Sequence, residues 1–246
     1  MSEWVWACAA TLRPGLMVLS GEIGTAGTHA HHTVQIMLAR RGEFVLADGR
    51  GARRRTHAVI VPPDRAHAVV EGAPDGMLVH VDPESGAGRR LTEIFSESDD
   101  IARWCAAGAA IADDSEWFQD GRFRAVVAAA PAPHRHPAVT RALALLPGRL
   151  DAGPLRLADL ARDVELSESR LAHLFSADVG LPFRPYVRWL RLQRATELVA
   201  AGNTLTAAAH GAGFADSSHL NRVCHRTFGS APSELNRIRW VDDLIM

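Results

Sequence analysis

Short apolar stretches alternate with turn-forming residues over the first third of the chain. Up to about residue 83 the apolar stretches are "GLMVLSG", "TVQIMLA", "EFVLAD", "HAVIVPP" and "GMLVHVD", and Gly, Pro or Asp turns separate them every eight to twelve residues. Many short apolar runs at this spacing are typical of an antiparallel sandwich or barrel. We therefore predict an antiparallel β domain over residues 1–87.

The spacing of apolar residues becomes helical between about residues 88 and 130. The positions that follow it are Leu91, Ile94, Phe95, Ile101, Trp104, Cys105, Phe123, Val126 and Val127. Recurrence at three and four residues predicts two or three amphipathic helices. The stretch "AAPAPHRHP" (129–137) carries three prolines, which places a domain boundary there. The third predicted domain, residues 131–246, has helical patterning.

The C-terminal region contains an internal repeat. Residues 157–182 align with residues 205–232 when small slips are allowed at the turn and at the end. The aligned pairs are Ala161 with Ala209, Leu166 with Phe214, Leu171 with Leu220, Leu174 with Val223, Phe175 with Cys224, and Gly180 with Gly229. Two copies of one helix-turn-helix unit explain this pairing. A helical bundle that does not contact DNA is the alternative, which two copies and a joining helix disfavour.

Each copy predicts a second helix with one buried and one open face. Ser167 and Asp216 are good N-caps for these two helices. The helical period then places small and polar side chains opposite the apolar face, near the helix N-terminus that a helix-turn-helix inserts into the DNA major groove. The candidate DNA-binding residues are Ser169, Arg170, Ala172 and His173 in the first copy, and Ser217, Ser218, His219, Asn221 and Arg222 in the second.

The two candidate faces differ in what they can recognise. Arg222 can pair bidentately with guanine and Asn221 with adenine, so the second copy is the better-equipped reader of bases. The first copy offers shorter or apolar contacts, such as Ala172 against a thymine methyl group. Its sequence preference is therefore harder to deduce.

One long amphipathic helix, residues 184–202, is predicted between the copies. Its inward residues are Tyr186, Val187, Leu190, Ala195, Leu198 and Val199. A rigid helix would hold the two readers at a fixed separation, and one DNA turn, roughly 34 Å, is the natural distance between successive major grooves. Arg188 and Arg191 are candidate phosphate contacts, and Arg226 completes the predicted DNA-binding set.

Composition and charge narrow the function classes. The chain has 246 residues and a formal net charge of −1. Between Ser167 and Arg239, however, nine arginines outnumber five acidic residues, so a polyanion would bind the C-terminal part. No apolar run is long enough for a membrane span, and Glu3 with Arg13-Pro14 argues against a signal peptide, so we expect a cytoplasmic protein. The three cysteines are far apart, which predicts reduced thiols.

Residues from about 135 to 239 resemble the DNA-binding domain of the AraC/XylS family of bacterial transcription regulators. The stretches that carry the resemblance are "LADLARDVELSESRLAHLF", "RLQRATELV", "GFADSSHLNRVCHRTFG" and "APSELNR". Cys224 and His225 stand where the family usually has Phe and Lys, and Ala207-Ala208 replace an acidic and a larger aliphatic residue. These departures are expected to soften the core of the second unit and to weaken one phosphate contact.

A cluster of histidines marks the β domain. On a strand, His29, His31, Thr33 and Gln35 share one face and His32 points the other way. With His67 after "VPPDRA", the set resembles the two motifs of the cupin barrel, with Gln where metal-binding cupins have Glu. Three interpretations stay open: a site for zinc, nickel, copper or iron, a metal-free pocket for an organic effector, or structural histidines. We do not assign His32, His57 or His80 as ligands.

The fold class that follows is α+β with several domains: a cupin-like antiparallel β-barrel with flanking helices, and an all-α domain with two helix-turn-helix units. The resemblance implies a regulator that binds double-stranded operator DNA under the control of a small-molecule effector or a divalent metal held by His29, His31, Gln35 and His67. It also implies a homodimer through residues 88–130, and contact with RNA polymerase if the protein activates. The alternative is a metal-dependent cupin enzyme, a dioxygenase or isomerase, fused to a DNA-binding domain.

Overall fold

The computed structural model describes residues 8–93, 100–112, 135–150, 155–234 and 238–241. Its strands are β1 (Cys8–Arg13), β2 (Leu16–Ile23), β3 (Ala26–His29), β4 (Val34–Arg41), β5 (Phe44–Asp48), β6 (Arg53–Thr56), β7 (Ala58–Val61), β8 (His67–Glu71), β9 (Ala73–Val81) and β10 (Arg239–Trp240). All five apolar stretches of the sequence lie in strands, namely β2, β4, β5, β7 and β9.

The strands form two sheets that enclose an apolar interior. One sheet has the order β10-β1-β2-β9-β4-β7, and the other has the order β3-β8-β5-β6. Every pairing is antiparallel except that of β1 with β10. The predicted fold class, an antiparallel β domain followed by a helical domain, is confirmed.

A strand from the far end of the chain completes the larger sheet. In β10, Arg239 pairs with Ala9 and Trp240 with Ala10 in parallel register. The amide of Val241 extends the pairing by donating to the carbonyl of Ala10. The predicted third domain therefore contributes backbone to the first one, which the sequence did not indicate.

The described helices are α1 (Gly86–Glu93), α2 (Ile101–Ala112), α3 (Pro137–Leu145), α4 (Leu157–Asp163), α5 (Glu168–Val179), α6 (Phe183–Ala200), α7 (Leu205–Gly211) and α8 (Ser217–Phe228), with a short 3-10 turn at Pro147–Arg149. Among them, no helix has the length and apolar content of a bilayer span. The helices predicted at Leu91 and at Ile101 to Cys105 correspond to α1 and α2. The remaining predicted positions lie outside the described residues: Ile94, Phe95, Phe123, Val126 and Val127.

Helix α2 is packed against the barrel. Ile101, Trp104 and Ile111 are buried there. Gly108 allows the close approach, because a Cβ at this position would lie 2.3 Å from the backbone nitrogen of Val59 in β7. Helix α2, which belongs to the helical region predicted over residues 88–130, thus forms part of the outer layer of the β domain.

The internal repeat is visible in the helix geometry. We call α4 with α5 the first unit and α7 with α8 the second unit. Ser167 and Asp216 cap α5 and α8, and each accepts a hydrogen bond from the backbone amide three residues later. Gly180 and Gly229 end the same helices, both at φ +74°. The predicted caps and the glycine pairing are therefore confirmed in both copies.

The two units belong to different cores. The first unit shares an apolar core with α3 and the start of α6, centred on Leu171 and Phe175. The second unit contributes Leu220, Cys224 and Phe228 to the core of the barrel itself. The boundary between the two apolar cores therefore lies between the two helix-turn-helix units, whereas the sequence predicted a domain boundary near residue 130.

The packing of α6 explains this division. Val187 and Ala195 of the predicted inward set are buried, but Trp189 and Leu192 are just as deeply buried and were not predicted. Both join the barrel core, whereas Val187 joins the core of the first unit. The prediction was incomplete because it allowed α6 a single apolar face, and the helix has two.

Candidate functional site

The N-terminal half of α8 presents the predicted reader residues to solvent. Ser218, Asn221 and Arg222 are exposed, while Leu220 and Cys224 on the other face are buried. Burial also raises the pKa of the Cys224 thiol to about 12, so this side chain occupies a core position as a neutral thiol. An open groove runs along the exposed face between α8 and Ser233.

The equivalent face of α5 is less polar. Ser169, Arg170 and His173 are exposed, and Ala172 is half-buried. Ala172 lines a cleft of about 1000 Å³ that lies between the two units and is bordered by Arg184 of α6. The two predicted faces therefore border different cavities: Ala172 of the first copy lines this cleft, whereas Asn221 and Arg222 of the second line the groove beside Ser233.

Two members of the second set are less exposed than Asn221 and Arg222, although Ser217 still lines the groove. Ser217 is half-buried in the first turn of α8. His219 is half-buried, and its ring lies 5.3 Å from that of Phe214. Its backbone amide donates a hydrogen bond to Oδ1 of the N-cap Asp216 at 2.6 Å. His219 therefore supports the turn between α7 and α8.

The three arginines predicted to contact DNA outside the two reader faces differ in exposure and in their partners. Arg188 is engaged within the protein, because its guanidinium lies 2.5 Å from Oδ2 of Asp82 at the end of β9. Arg191 is half-buried beside Gly213, and this burial lowers its pKa. Arg226 is exposed near the end of α8. Arg188 thus forms an ion pair between α6 and the barrel, and its contact with a DNA phosphate stays a prediction.

Asp82 is a buried carboxylate that the sequence reasoning missed. It accepts hydrogen bonds from Arg188, from Nε1 of Trp189 at 2.6 Å and from the amide of Glu84 at 2.9 Å. A buried carboxylate with several donors is stable only while those donors stay in place. Asp82 therefore fixes the position of α6 on the barrel.

The predicted histidines and Gln35 lie together inside the barrel, next to the second unit. Nε2 of His31 is 2.9 Å and Nε2 of His67 is 2.8 Å from Oε1 of Gln35. The ring of His29 lies 4.4 Å from that of His67. We call His29, His31, His67 and Gln35 the histidine cluster.

The three imidazoles are oriented by backbone carbonyls. Nδ1 of His29 contacts the carbonyl of Gly27 at 2.8 Å, and Nδ1 of His67 contacts that of Arg65 at 2.9 Å. Nδ1 of His31 contacts the carbonyl of Thr33 at 3.0 Å. A ring whose Nδ1–H donates to a carbonyl keeps its lone pair on Nε2, which is the arrangement common in metal-ligating histidines.

Burial keeps these rings neutral. The pKa of His31 is lowered from 6.5 to about 4, chiefly by burial. Burial also lowers the pKa of His29, and lowers the pKa of His67 and His80 well below 6.5. Neutral imidazole is the form that binds metals, so the cluster is in its ligand-competent state near neutral pH.

His80 is a further member of this environment that we had not assigned. Its ring lies 4.9 Å from His31 and 5.5 Å from Phe228 of α8. The hydroxyl of Thr33 contacts Nδ1 of His80 at 2.7 Å and donates to the carbonyl of Thr227 at 2.9 Å. The pairing of His80 with Gln35 across β9 and β4 was not visible in the sequence, because it depends on strand register.

The other histidines of the β domain lie apart from the cluster. The prediction that residues 29–35 lie on one strand is wrong, because residues 30–33 form a bend between β3 and β4. His32 lies in this bend, and its Nδ1 is 3.1 Å from Oδ2 of Asp64. His57 is exposed.

The donor set fits a metal ion. One ligand atom each from His29, His31 and His67 lies within 4.8 Å of the others, and no other group of three such side chains is found in the described part of the chain. A four-coordinate ion with bonds of about 2.0–2.1 Å needs nitrogens about 3.3 Å apart, so modest ring movements would close the site. Imidazole nitrogen suits zinc, copper, iron and nickel.

Comparison with known proteins adds a family relation for the helical part. Residues 160–238 match the family described as "Helix-turn-helix domain". The chain is 34% identical over 84 residues to the regulatory protein Ada of Salmonella typhimurium, which covers 34% of this chain and 24% of that protein. The chain therefore spans about a quarter of the length of this curated relative.

Solved structures show weaker similarity. ToxT of Vibrio cholerae O395 is 15% identical, with a TM-score of 0.46, over 91% of this chain and 98% of its own. A transcriptional regulator with an AraC-type DNA-binding domain from Chromobacterium violaceum is 26% identical, with a TM-score of 0.37, over 41% of this chain and 89% of its own. The two capped helix-turn-helix units thus lie in the part of the chain, residues 160–238, that matches the helix-turn-helix domain family.

Proposed function

We propose that this protein is a sequence-specific DNA-binding transcription regulator. The single observation that carries the proposal is the pair of capped helix-turn-helix units whose outer helices expose Ser169, Arg170 and His173 in one copy and Asn221 and Arg222 in the other. Exposed polar residues near the N-terminus of such helices are what the major groove accepts. The partner is double-stranded operator DNA.

Arg222 carries the sharpest test. Arg222→Ala should weaken binding to the selected operator by about 1–3 kcal/mol and relax sequence preference at one base pair, because one bidentate pair with guanine is lost. Selection of binding sites from random duplexes, followed by gel-shift titration at fixed salt, measures both effects. Arg53→Ala is the matched control, since it removes the same charge from an exposed position on β6 of the barrel.

Two outcomes would contradict the proposed role of Arg222. If Arg222→Ala selects the same operator with unchanged affinity, the exposed face of α8 does not read bases. If Arg53→Ala weakens binding as much as Arg222→Ala does, the loss reflects overall charge and not a base contact.

We further propose that an effector bound at the histidine cluster controls this regulator. Support comes from the position of the cluster against the second unit, where Thr33 donates to the carbonyl of Thr227. A ligand that favours one arrangement of the two parts would shift the population of DNA-competent molecules. Thermal-shift screening of the full chain against divalent metals and small organic acids tests this control.

Dimerisation through the helical region of residues 88–130 completes the proposal. In the described part, α2 packs on the barrel through Trp104 and Gly108 and leaves its opposite face, including Arg103, exposed. Two copies would then occupy two half-sites. Light scattering on the purified chain measures the oligomeric state, and RNA polymerase is a partner if the protein activates.

A metal-dependent enzyme is the second candidate, favoured only by the three clustered histidines. Stoichiometric iron or manganese, together with turnover of an organic acid by the purified chain, would favour that function over regulation.

A further inference from the structure

A carboxylate of the barrel binds the middle of α6, the helix that joins the two helix-turn-helix units. Oδ2 of Asp82 accepts hydrogen bonds from the guanidinium of Arg188 at 2.5 Å and from Nε1 of Trp189 at 2.6 Å. Consecutive residues project in directions about 100° apart around a helix. The two bonds together therefore restrain both the position of α6 and its rotation about its own axis.

The bonds to Asp82 form where α6 passes from one apolar core to the other. Val187, one residue before Arg188, packs in the core of the first unit, whereas Trp189 and Leu192 pack in the barrel core that includes the second unit. Helix α6 has 18 residues, which corresponds to a length of about 27 Å. Asp82 thus acts between the part of α6 that supports the first unit and the part that supports the second.

Asp82 is itself held in place by its neighbours. Its backbone amide donates to the carbonyl of Gly15 at 2.9 Å, and its Oδ1 accepts from the amide of Glu84 at 2.9 Å. Gly88 of α1 lies so close that a Cβ there would overlap the carbonyl oxygen of Asp82. Since Asp82 is also fully buried, it is preorganised to bind α6 and is out of reach of DNA.

The same region of the barrel reaches the C-terminal ends of both reader helices. The amide of Gly86, at the start of α1, donates to the carbonyl of Gly180 at the end of α5 at 3.0 Å. The ring of Trp189 lies edge-on to that of Phe228, the last residue of α8, at 5.5 Å. Displacements pass readily through such closely packed groups. The position of α6 on Asp82 therefore affects how α5 and α8 are oriented relative to each other.

The relative orientation of α5 and α8 decides which operators both helices can read at once. Each base pair inserted between two recognition segments moves one of them by about 3.4 Å along the duplex and rotates it by about 34°. Readers that are held rigidly lose base contacts when the segments move in this way, whereas flexibly joined readers follow them. Rigid support of the two helices therefore produces a preference for one spacing.

We propose that Asp82 is a positioning residue, which fixes the relative orientation of α5 and α8 and thereby specifies the number of base pairs between the two operator segments that they read. The inference rests on the proposed function, because it concerns how DNA is read. It assigns part of the operator specificity to a buried carboxylate of the barrel, which acts through Arg188 and Trp189 and not through a base contact.

Pulsed dipolar electron spin resonance on the full-length protein measures the orientation of the two helices without DNA. Nitroxide labels are attached at Ser169→Cys and Ser218→Cys, two exposed positions on α5 and α8. Cys8→Ser and Cys105→Ser remove competing thiols, and Cys224 is buried. With Asp82 intact, the distance between the labels should follow a single narrow distribution.

Three further substitutions are compared in the labelled protein. Asp82→Asn keeps the shape of the side chain and removes its charge, so the distribution should become at least about two-fold wider. Trp189→Phe keeps a ring against Phe228 and removes only the indole donor, so it should widen the distribution less and decides the question if Asp82→Asn does not fold. Asp163→Asn is the matched control, because it breaks an exposed ion pair with Arg149 in the first unit, and it should change nothing.

Operator spacing is measured by gel-shift titration at fixed salt on operators selected from random duplexes. One base pair is inserted between the two recognised segments, or one is removed. The unaltered protein should lose affinity at least about 10-fold, whereas Asp82→Asn should lose about 3-fold or less and keep its base preference within each segment. A purely structural role of Asp82 would weaken binding to every operator equally and leave the penalty for altered spacing unchanged.

Two results would overturn the role of Asp82. One is a distance distribution that neither Asp82→Asn nor Trp189→Phe changes, or that Asp163→Asn changes as much. The other is an equal penalty for altered spacing in the unaltered protein and in the first two variants. If the unaltered protein selects no DNA, the proposed function fails, while the label distances still decide whether Asp82 orients the two helices.

Discussion

The two helix-turn-helix units share one design and differ in what supports them. In the first unit, Leu171 and Phe175 pack in a core made with α3 and part of α6. In the second, Leu220 and Phe228 pack in the core of the β-barrel, and the end of α8 rests on the histidine cluster. The same local sequence pattern has therefore been placed in two different structural contexts.

This difference separates the tasks of the two units. Under the proposed function, the second unit carries the side chains best suited to read bases, Asn221 and Arg222, and it is also the unit that packs in the barrel core. The first unit has its own core and touches the β domain less, for example where the amide of Gly86 donates to the carbonyl of Gly180. A change inside the barrel should therefore reach the better reader first.

Lowering the pH should produce the clearest difference in stability between the two units. The pKa of His31 is lowered to about 4 in the folded protein and is 6.5 without burial, so between these values only the unfolded chain binds the proton. The free energy of unfolding then falls as the pH falls, by about 2 kcal/mol for this group between pH 6.5 and about pH 5. His67 and His80 act in the same direction.

The described core residues of the first unit are all apolar, so it should resist this treatment. Hydrogen exchange of the metal-free protein at about pH 7 and about pH 5, corrected for the intrinsic rate, compares α5 with α8. We expect α8 and β4 to lose protection at the lower pH and α5 to keep it. Equal loss in both helices would mean that the units are not energetically separate.

Truncation of one phenylalanine in each core tests the same division through packing. Phe175→Ala and Phe228→Ala each remove a fully buried ring, which typically costs about 3–5 kcal/mol. Phe175→Ala should expose the first unit and spare the barrel strands, whereas Phe228→Ala should weaken both the barrel and the second unit. Exchange protection in β9 distinguishes the two, and similar loss there in both variants would contradict the division of the core.

The repeat and the barrel could be predicted because both produce local patterns of apolar and polar residues in the sequence. The N-caps Ser167 and Asp216, the terminal glycines and the buried Leu171 and Leu220 follow from the helical period alone. The motif spacing identified the residues of the histidine cluster, but the strand-parity argument for them was wrong, because His29 ends β3, residues 30–33 form a bend, and Gln35 lies in β4 of the other sheet.

The contacts between distant segments could not be predicted. Asp82 pairs with Arg188 across 106 residues, and β10 joins β1 from the other end of the chain. Trp189 shares its helix with the predicted inward residues but faces the barrel, a neighbour that the period of one helix does not reveal. Such pairings depend on how the domains meet, and a single sequence carries no local signal for them.

The smallest expected effect comes from the terminal glycines, which differ only in their surroundings. Gly180 and Gly229 both have φ +74°, so alanine at either position should cost about 1 kcal/mol of stability through backbone strain. At position 229 the new Cβ would also collide with His29, whose ring is part of the candidate metal site. Gly229→Ala should therefore lower the melting temperature more than Gly180→Ala does and should alone weaken Zn²⁺ binding. Equal Zn²⁺ affinity in the two variants would show that the end of α8 and the histidine cluster are independent, even though they are in contact.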